Sequence, residues 1–193
     1  TVVDISAGML ELDRQVAADR GFHVRTVEAS MDNLQALEAG EFDLVVQPVS
    51  TCYVPRIDLV YEQVARVMQV GGIYISQHKQ PGSLQADIKA SRLGYELTEP
   101  YYRQDPLPDV QGSRHREEGT LEYLHRWEEL IGFLCRSGFV LEDLVEPLHA
   151  DPEAVAGSFE HRSWYVAPYV RFKARRVAGY QSGSSDSPRI VVP

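Results

Sequence analysis

Apolar and polar positions alternate between two periods along the first eighty residues. Thr1 to Ile5 is β-branched and apolar apart from Asp4, the pattern of a buried parallel strand that ends on an acid. Ser6 is placed to N-cap a helix, Met9, Leu12 and Val16 fall at helical spacing, and Gly21 supplies a stop. His23 to Ala29 alternates as a second strand. Phe42 to Val49, FDLVVQPV, is a third, ended by Pro48. Ile57, Val60, Tyr61, Val64, Val67 and Met68 make one apolar stripe and predict a helix; Gly71-Gly72 stops it, and IYIS is a fourth strand. Strand, helix, strand, short connection, strand, helix, strand is the order of an α/β fold. It implies a mostly parallel, doubly wound sheet with helices on both faces.

The pattern changes after residue 80. Pro81, Pro100, Pro106 and Pro108 punctuate a polar stretch containing SRHREE. A helix near Leu84 to Leu93 is expected, then an irregular cover to about residue 118, of the length typical of a lid or substrate loop. The His and Glu of HREEG read as a solvated loop. Thr120 to Ser137 is again helical in pattern, with Leu121, Leu124, Trp127, Ile131 and Leu134 inward and Gly138 as the stop. FVLEDLVEP is a strand. YVAPYVRFKARR alternates, with Val170, Phe172 and Ala174 on one face and Arg171, Lys173 and Arg175 on the other. Two late strands predict a C-terminal antiparallel hairpin on the sheet. Residues 1–178 form one domain in this reading, and the turn-rich residues 179–193 a flexible tail.

Composition narrows the partners. The chain has 193 residues, enough for one sizeable core, and a formal charge of −9, which disfavours nucleic acid. No apolar run approaches the ~20 residues of a membrane helix. Cys52 and Cys135 read as reduced thiols of a cytoplasmic protein. The expected partner is a small molecule or another protein chain.

Ligands of an open parallel sheet sit beyond the carboxyl ends of its strands. Those ends deliver Asp4, then Ser30 and Met31, then Gln47, Pro48, Val49 and Ser50, then Gln77, His78 and Lys79. An acid at an early strand end suits a ribose diol, and Met9 and Met31 offer polarisable surface to a purine. The set describes a nucleoside pocket; the plainer alternative for Asp4 is to cap the next helix or its dipole. His78 is the candidate general base. Tyr53, Tyr101, Tyr102 and His125 are candidates to line an acceptor pocket. Cys52 has no base supplied by the sequence, and no His, Cys or acid spacing suggests a metal.

VVDIS-AGML, EASMDNL, FDLVVQPV and the helix running into QVGGIYIS together resemble the middle of a class I S-adenosylmethionine-dependent methyltransferase, of the small-molecule branch that includes quinone methyltransferases. SGFVLEDLVEP and YVRFKARR are similar to that family's final hairpin. The resemblance implies a Rossmann-like fold, S-adenosylmethionine as cofactor and methyl transfer to a small acceptor. By it, Asp4 holds the ribose hydroxyls; Ile5, Ser6 and Met9 line the adenosine; Ser30 and Met31 flank adenine; Gln47, Pro48 and Val49 run under the methionine part. The family's first strand and glycine-rich loop would precede Asp4, and no GxGxG-type run occurs in the sequence. The chain therefore reads as a domain lacking its first strand and helix. Two unpaired edges would then face a gap, and either Thr1–Ile5 pairs directly with Phe42–Val49 or the chain forms a homodimer through those edges. Two other readings remain: a non-catalytic remnant that binds partners, and a nicotinamide-dependent oxidoreductase.

Overall fold

A computed structural model describes residues 1–177. β1 (Val2–Asp4) leads through α1 (Ala7–Asp19) to β2 (Thr26–Glu28), which pairs with β1 in parallel, Val3 opposite Val27. Next come β3 (Phe42–Gln47), a short 3-10 turn (Thr51–Tyr53) and α2 (Ile57–Val67), and then β4 (Met68–Lys79), parallel to β3 with Val45 opposite Tyr74. Beyond α3 (Pro81–Gln85), a π-helical turn (Glu128–Gly132) and α4 (Phe133–Arg136) lead into β5 (Phe139–Val145). α5 (Phe159–Tyr165) then precedes β6 (Tyr169–Arg176). β6 slots between β4 and β5, antiparallel to both, so the larger sheet runs β3-β4-β6-β5. The late hairpin and the parallel pairs are thus as the pattern predicts. The expected tail, residues 179–193, lies outside the described residues.

α2 forms because its stripe has somewhere to go. Ile57, Val60, Tyr61, Val64 and Val67 are all buried. Most of that face meets Tyr74 of β4, Val170, Phe172 and Ala174 of β6, Phe139, Leu130 and Leu134 in one core. Each large apolar side chain fully buried there stabilises by about 1.5–3 kcal/mol. The one polar atom Tyr61 brings in is satisfied: its hydroxyl donates to the Leu130 carbonyl at 3.0 Å.

Four expectations need correction. The helix does not run on to Gly71-Gly72; α2 closes at Val67, and both glycines lie inside β4. Gly71 has φ +92°, and a Cβ on Gly72 would stand 2.9 Å from the Asp43 carbonyl oxygen, so the pair forms an irregular turn in the ladder where its register with β3 shifts. The helix expected over Leu84–Leu93 is only the five-residue α3. Arg162 takes the Ser83, Ala86 and Asp87 carbonyls, and Ala86 bridges Leu97 instead of continuing the turn. The helix expected from Thr120 starts near Trp127, because the Leu107 N–H donates to the Glu122 carbonyl and the Tyr123 N–H to the Cys52 carbonyl, holding that stretch out of the helix. α1 exists and is capped by Ser6 accepting from the Met9 N–H, but its stripe is outward: Met9, Leu12 and Val16 are exposed and Leu10 is the buried residue.

The parallel pair β1-β2 and the larger sheet remain separate. Direct pairing of Thr1–Ile5 with Phe42–Val49 is therefore not realised. Among the described residues β1 and β3 each present an unpaired edge to the space between them.

Candidate functional site

That space is a cavity of about 830 Å³ at the carboxyl ends of β1 and β3. Asp4, Ile5, Ser30, Met31, Gln47, Pro48 and Val49 all line it, together with Ser50 and Tyr53. They converge because parallel strands aim their C-terminal residues to one side of a sheet. Ser6 and Met9 are not among the lining residues; Ser6, the N-cap of α1, and Met9, in its first turn, are both exposed.

Asp4 does two things at once. Its Oδ1 accepts the N–H of Ser6, the N-cap of α1, at 2.7 Å, and among the described residues Oδ2 accepts no hydrogen bond at the cavity wall. Gln47 is fixed from three sides. Its Nε2 donates to Met31 Sδ and to Ser50 Oγ, both at 3.2 Å, and its Oε1 accepts the Tyr74 hydroxyl. A Gln held in one rotamer beneath a cavity is a preorganised polar contact.

The histidines lie elsewhere. His78 is fully buried, with Nδ1 2.8 Å from Thr51 Oγ1, Nε2 2.8 Å from Ser76 Oγ and its ring 5.0 Å from that of Phe172. Burial, helped by His125, pushes its pKa down to about 3. It is a neutral core histidine with no free ring nitrogen. His125 is buried with Nε2 2.9 Å from the Thr51 carbonyl, and burial lowers its pKa. Tyr101 accepts the Trp127 N–H, and Tyr102 is exposed under the Arg126 guanidinium. Of the four acceptor candidates, Tyr53 alone borders the cavity; its hydroxyl donates to Glu117 Oε2 at 2.7 Å. Burial pushes the Cys52 thiol up to about 12, which leaves it inert at neutral pH.

What the sequence pattern does not reveal is a charged cluster inside the fold. Lys79 Nζ is 2.6 Å from Glu122 Oε1, Arg116 Nε is 2.9 Å from Glu122 Oε2, and all three residues are buried. The Glu117 N–H adds a third hydrogen bond to the carboxylate at 3.0 Å. Burial pushes the Glu122 carboxyl up, and the bonds from Lys79, the Glu117 N–H and Arg116 overcome it, so its pKa stays below the ordinary value. His115 is buried too, its Nε2 3.0 Å from Ser83 Oγ. The polar run around HREEG is therefore partly interior. The signal lay in Lys79 and Glu122, which stand 43 residues apart. Among the described residues no group of three or more His, Cys, Asp or Glu is placed to hold a metal ion, and no helix is long and apolar enough to cross a membrane.

Comparison with known proteins fits this geometry. Residues 1–76 match the family model of a methyltransferase domain. An uncharacterized methyltransferase of Bacillus subtilis (strain 168), YbaJ, is 29% identical over 150 residues; the match takes in 76% of this chain and 59% of that protein. The chain thus spans less than two thirds of the length of this curated relative. The fold is shared with a putative S-adenosylmethionine-dependent methyltransferase from Listeria monocytogenes (TM-score 0.70, 15% identity, 91% of this chain and 78% of that one). It is shared equally with one from Mesorhizobium loti (TM-score 0.70, 20% identity, 90% and 78%). It also resembles geranyl diphosphate C-methyltransferase from Streptomyces coelicolor A3(2) (TM-score 0.58, 16% identity, 91% and 61%), whose crystal structure contains Mg2+, geranyl diphosphate and S-adenosyl-L-homocysteine. Residues 1–76 thus match a methyltransferase domain, and the chain shares the Rossmann-like α/β fold of S-adenosylmethionine-dependent methyltransferases.

Proposed function

We propose that the protein transfers a methyl group from S-adenosylmethionine to a small-molecule acceptor. The observation that supports it most is the convergence of Asp4, Ile5, Ser30, Met31, Gln47, Pro48 and Val49 on one cavity at the strand ends. Its volume of about 830 Å³ lies in the range of small-molecule sites, and its lining residues fit a nucleoside. Asp4 Oδ2 is available to a ribose hydroxyl, and Met31 offers a soft face to adenine. Gln47 is locked by Met31, Ser50 and Tyr74 under the methionine end.

The cofactor supplies a sulfonium-activated methyl, so the chain needs to align and to exclude water more than to move protons. His78 takes no proton in this reading, because Thr51 and Ser76 occupy both its nitrogens. Tyr53 and Val49 separate the cofactor space from a second, polar cavity. Calorimetric titration with S-adenosylhomocysteine tests the reading; binding of NAD in its place would favour the oxidoreductase alternative.

A second reading concerns assembly. Among the described residues the edges of β1 and β3 facing the cavity are unpaired, and Leu44 and Val46 of β3 are 56% and 62% exposed. Such apolar edges seek a strand, and the occupant proposed is a second copy of this chain. Light scattering over a concentration series tests it: a dimeric mass supports it, and a monomer throughout excludes it.

A further inference from the structure

A second cavity, of about 360 Å³, adjoins the first and shares Val49, Tyr53 and Glu117 with it. Its walls include Lys79, His115, Arg116 and Tyr169. In a chain whose net charge is −9, this is a concentration of cations. The Glu122 carboxylate answers two of them: Oε1 accepts from Lys79 and the Glu117 N–H, Oε2 from Arg116. Glu117, the carboxylate on the wall shared by the two cavities, accepts the Tyr53 hydroxyl.

Among the described residues both cations keep uncommitted donors. Arg116 commits Nε to Glu122, and among the described residues its two terminal nitrogens donate to nothing. Lys79 commits one of its three ammonium hydrogens, and its Nζ stands 5.9 Å from the centre of the Tyr53 ring.

His115 faces the same cavity. Arg162 Nη1 donates to Ser83 Oγ at 2.8 Å, and His115 Nε2 lies 3.0 Å from the same oxygen. Among the described residues the buried His115 Nδ1 has no hydrogen-bond partner. Burial, with Arg162, Lys79 and Arg116 nearby, pushes the His115 pKa down to about 3, so the ring is neutral and cannot answer the cations.

We propose that this cavity is an oxyanion subsite for the acceptor, and that the acceptor is a small planar carboxylate held by the Arg116 fork and the Lys79 ammonium. A fork with two free ends matches a carboxylate bidentately. The Tyr53 and Tyr169 rings make flat walls, and the volume sets the size. A molecule anchored there extends past Tyr53 and Val49 toward Gln47 and Ser50, where the methyl donor would lie. That its occupant is the methyl acceptor rests on the methyl-transfer reading; the anion site rests on its own donors.

The test is an NMR titration of the full chain, with its arginines 15N-labelled, using benzoate and the neutral benzyl alcohol as probes, beside a separate titration with S-adenosylhomocysteine. Benzoate is expected to shift the Arg116 Nε signal and to bind at least tenfold more tightly than benzyl alcohol. Arg116→Lys, which keeps the charge and loses the fork, should weaken benzoate about tenfold or more and leave S-adenosylhomocysteine unchanged. Equal affinity for the two probes, or an unmoved Arg116 signal, overturns the proposal. If Arg116→Lys fails to fold, the two-probe comparison on the parent chain decides alone. Benzoate preference without S-adenosylhomocysteine binding would keep the anion site and remove the methyl-transfer reading; the opposite pair of results would do the reverse.

Discussion

Replacing Glu122 by Gln should be among the most damaging single substitutions in this protein. The carboxylate is fully buried and holds Lys79 and Arg116, whose side chains are 4% and 8% exposed. Gln keeps the shape and removes the charge, so two cations stay inside the fold with a neutral amide between them. Breaking a buried pair this way costs about 3–5 kcal/mol. At roughly 2–4 °C per kcal/mol for a chain of this size, the thermal midpoint should fall by about 6–20 °C. The assay is urea unfolding at pH 7, with thermal melts beside it. A cycle of Glu122→Gln, Lys79→Met and the double variant should show a coupling of more than about 1 kcal/mol, because each single change strands the other charge. Replacing all three residues by Met should restore much of the loss, since a packed apolar cluster has no ions to desolvate. The acid limb carries a further signature. Glu122 has a depressed folded pKa, so its contribution is complete above the unfolded pKa and is lost as the pH falls through the folded value. Glu122→Gln should flatten that limb. A Glu122→Gln protein within about 1 kcal/mol of the parent would refute the buried-cluster argument.

Three other outcomes rest on particular contacts. The folded pKa values of His78 and His115, both about 3, lie below the unfolded 6.5, so the unfolded chain binds more protons between those values; urea stability should fall as the pH drops from about 6.5 toward 3 and be level just above. A flat profile across that window would contradict the neutral burial of both rings. Gly72→Ala puts a Cβ 2.9 Å from one backbone carbonyl oxygen and 3.0 Å from another, neither free to rotate away, and should cost about 1–3 kcal/mol in the same assay. Asp4→Asn should weaken S-adenosylhomocysteine about tenfold or more while leaving the melting temperature within a few degrees, since the Oδ1 cap of Ser6 survives; equal affinity would remove Asp4 from the ribose site.

Much of the architecture is legible in the residues, and the exceptions have physical causes. α2 and β6 show clear periods because each buries one face completely, as Val60 and Tyr61 or Val170 and Phe172 do. Asp4, Met31 and Gln47 could be grouped before any coordinates because parallel strands send their ends to one place. The helical pattern of Thr120–Leu124 was overridden by long-range bonds: Glu122 and Tyr123 are tied through their backbone to Leu107 and Cys52. Leu84–Leu93 lost its helix to Arg162, whose guanidinium collects carbonyls from residues more than seventy positions away. Local propensity contains no term for either partner. His115 and Arg116 looked solvated because charge density in a window is a surface signal. Their burial depends on Lys79, Glu122 and Ser83, none of which a local pattern connects to them. His78 illustrates the converse: its position at a strand end suggested chemistry, and the alternation of β4 turned it inward to Thr51 and Ser76.

The central claim is that the cavity between β1 and β3 holds the methyl donor. The most direct measurement is calorimetric titration of the chain with S-adenosylhomocysteine, at a concentration where its mass has been fixed by light scattering and with NAD as the competing ligand. The account predicts micromolar binding of S-adenosylhomocysteine, one site per chain, and none of NAD. A folded chain that binds neither, or that binds NAD instead, would contradict it.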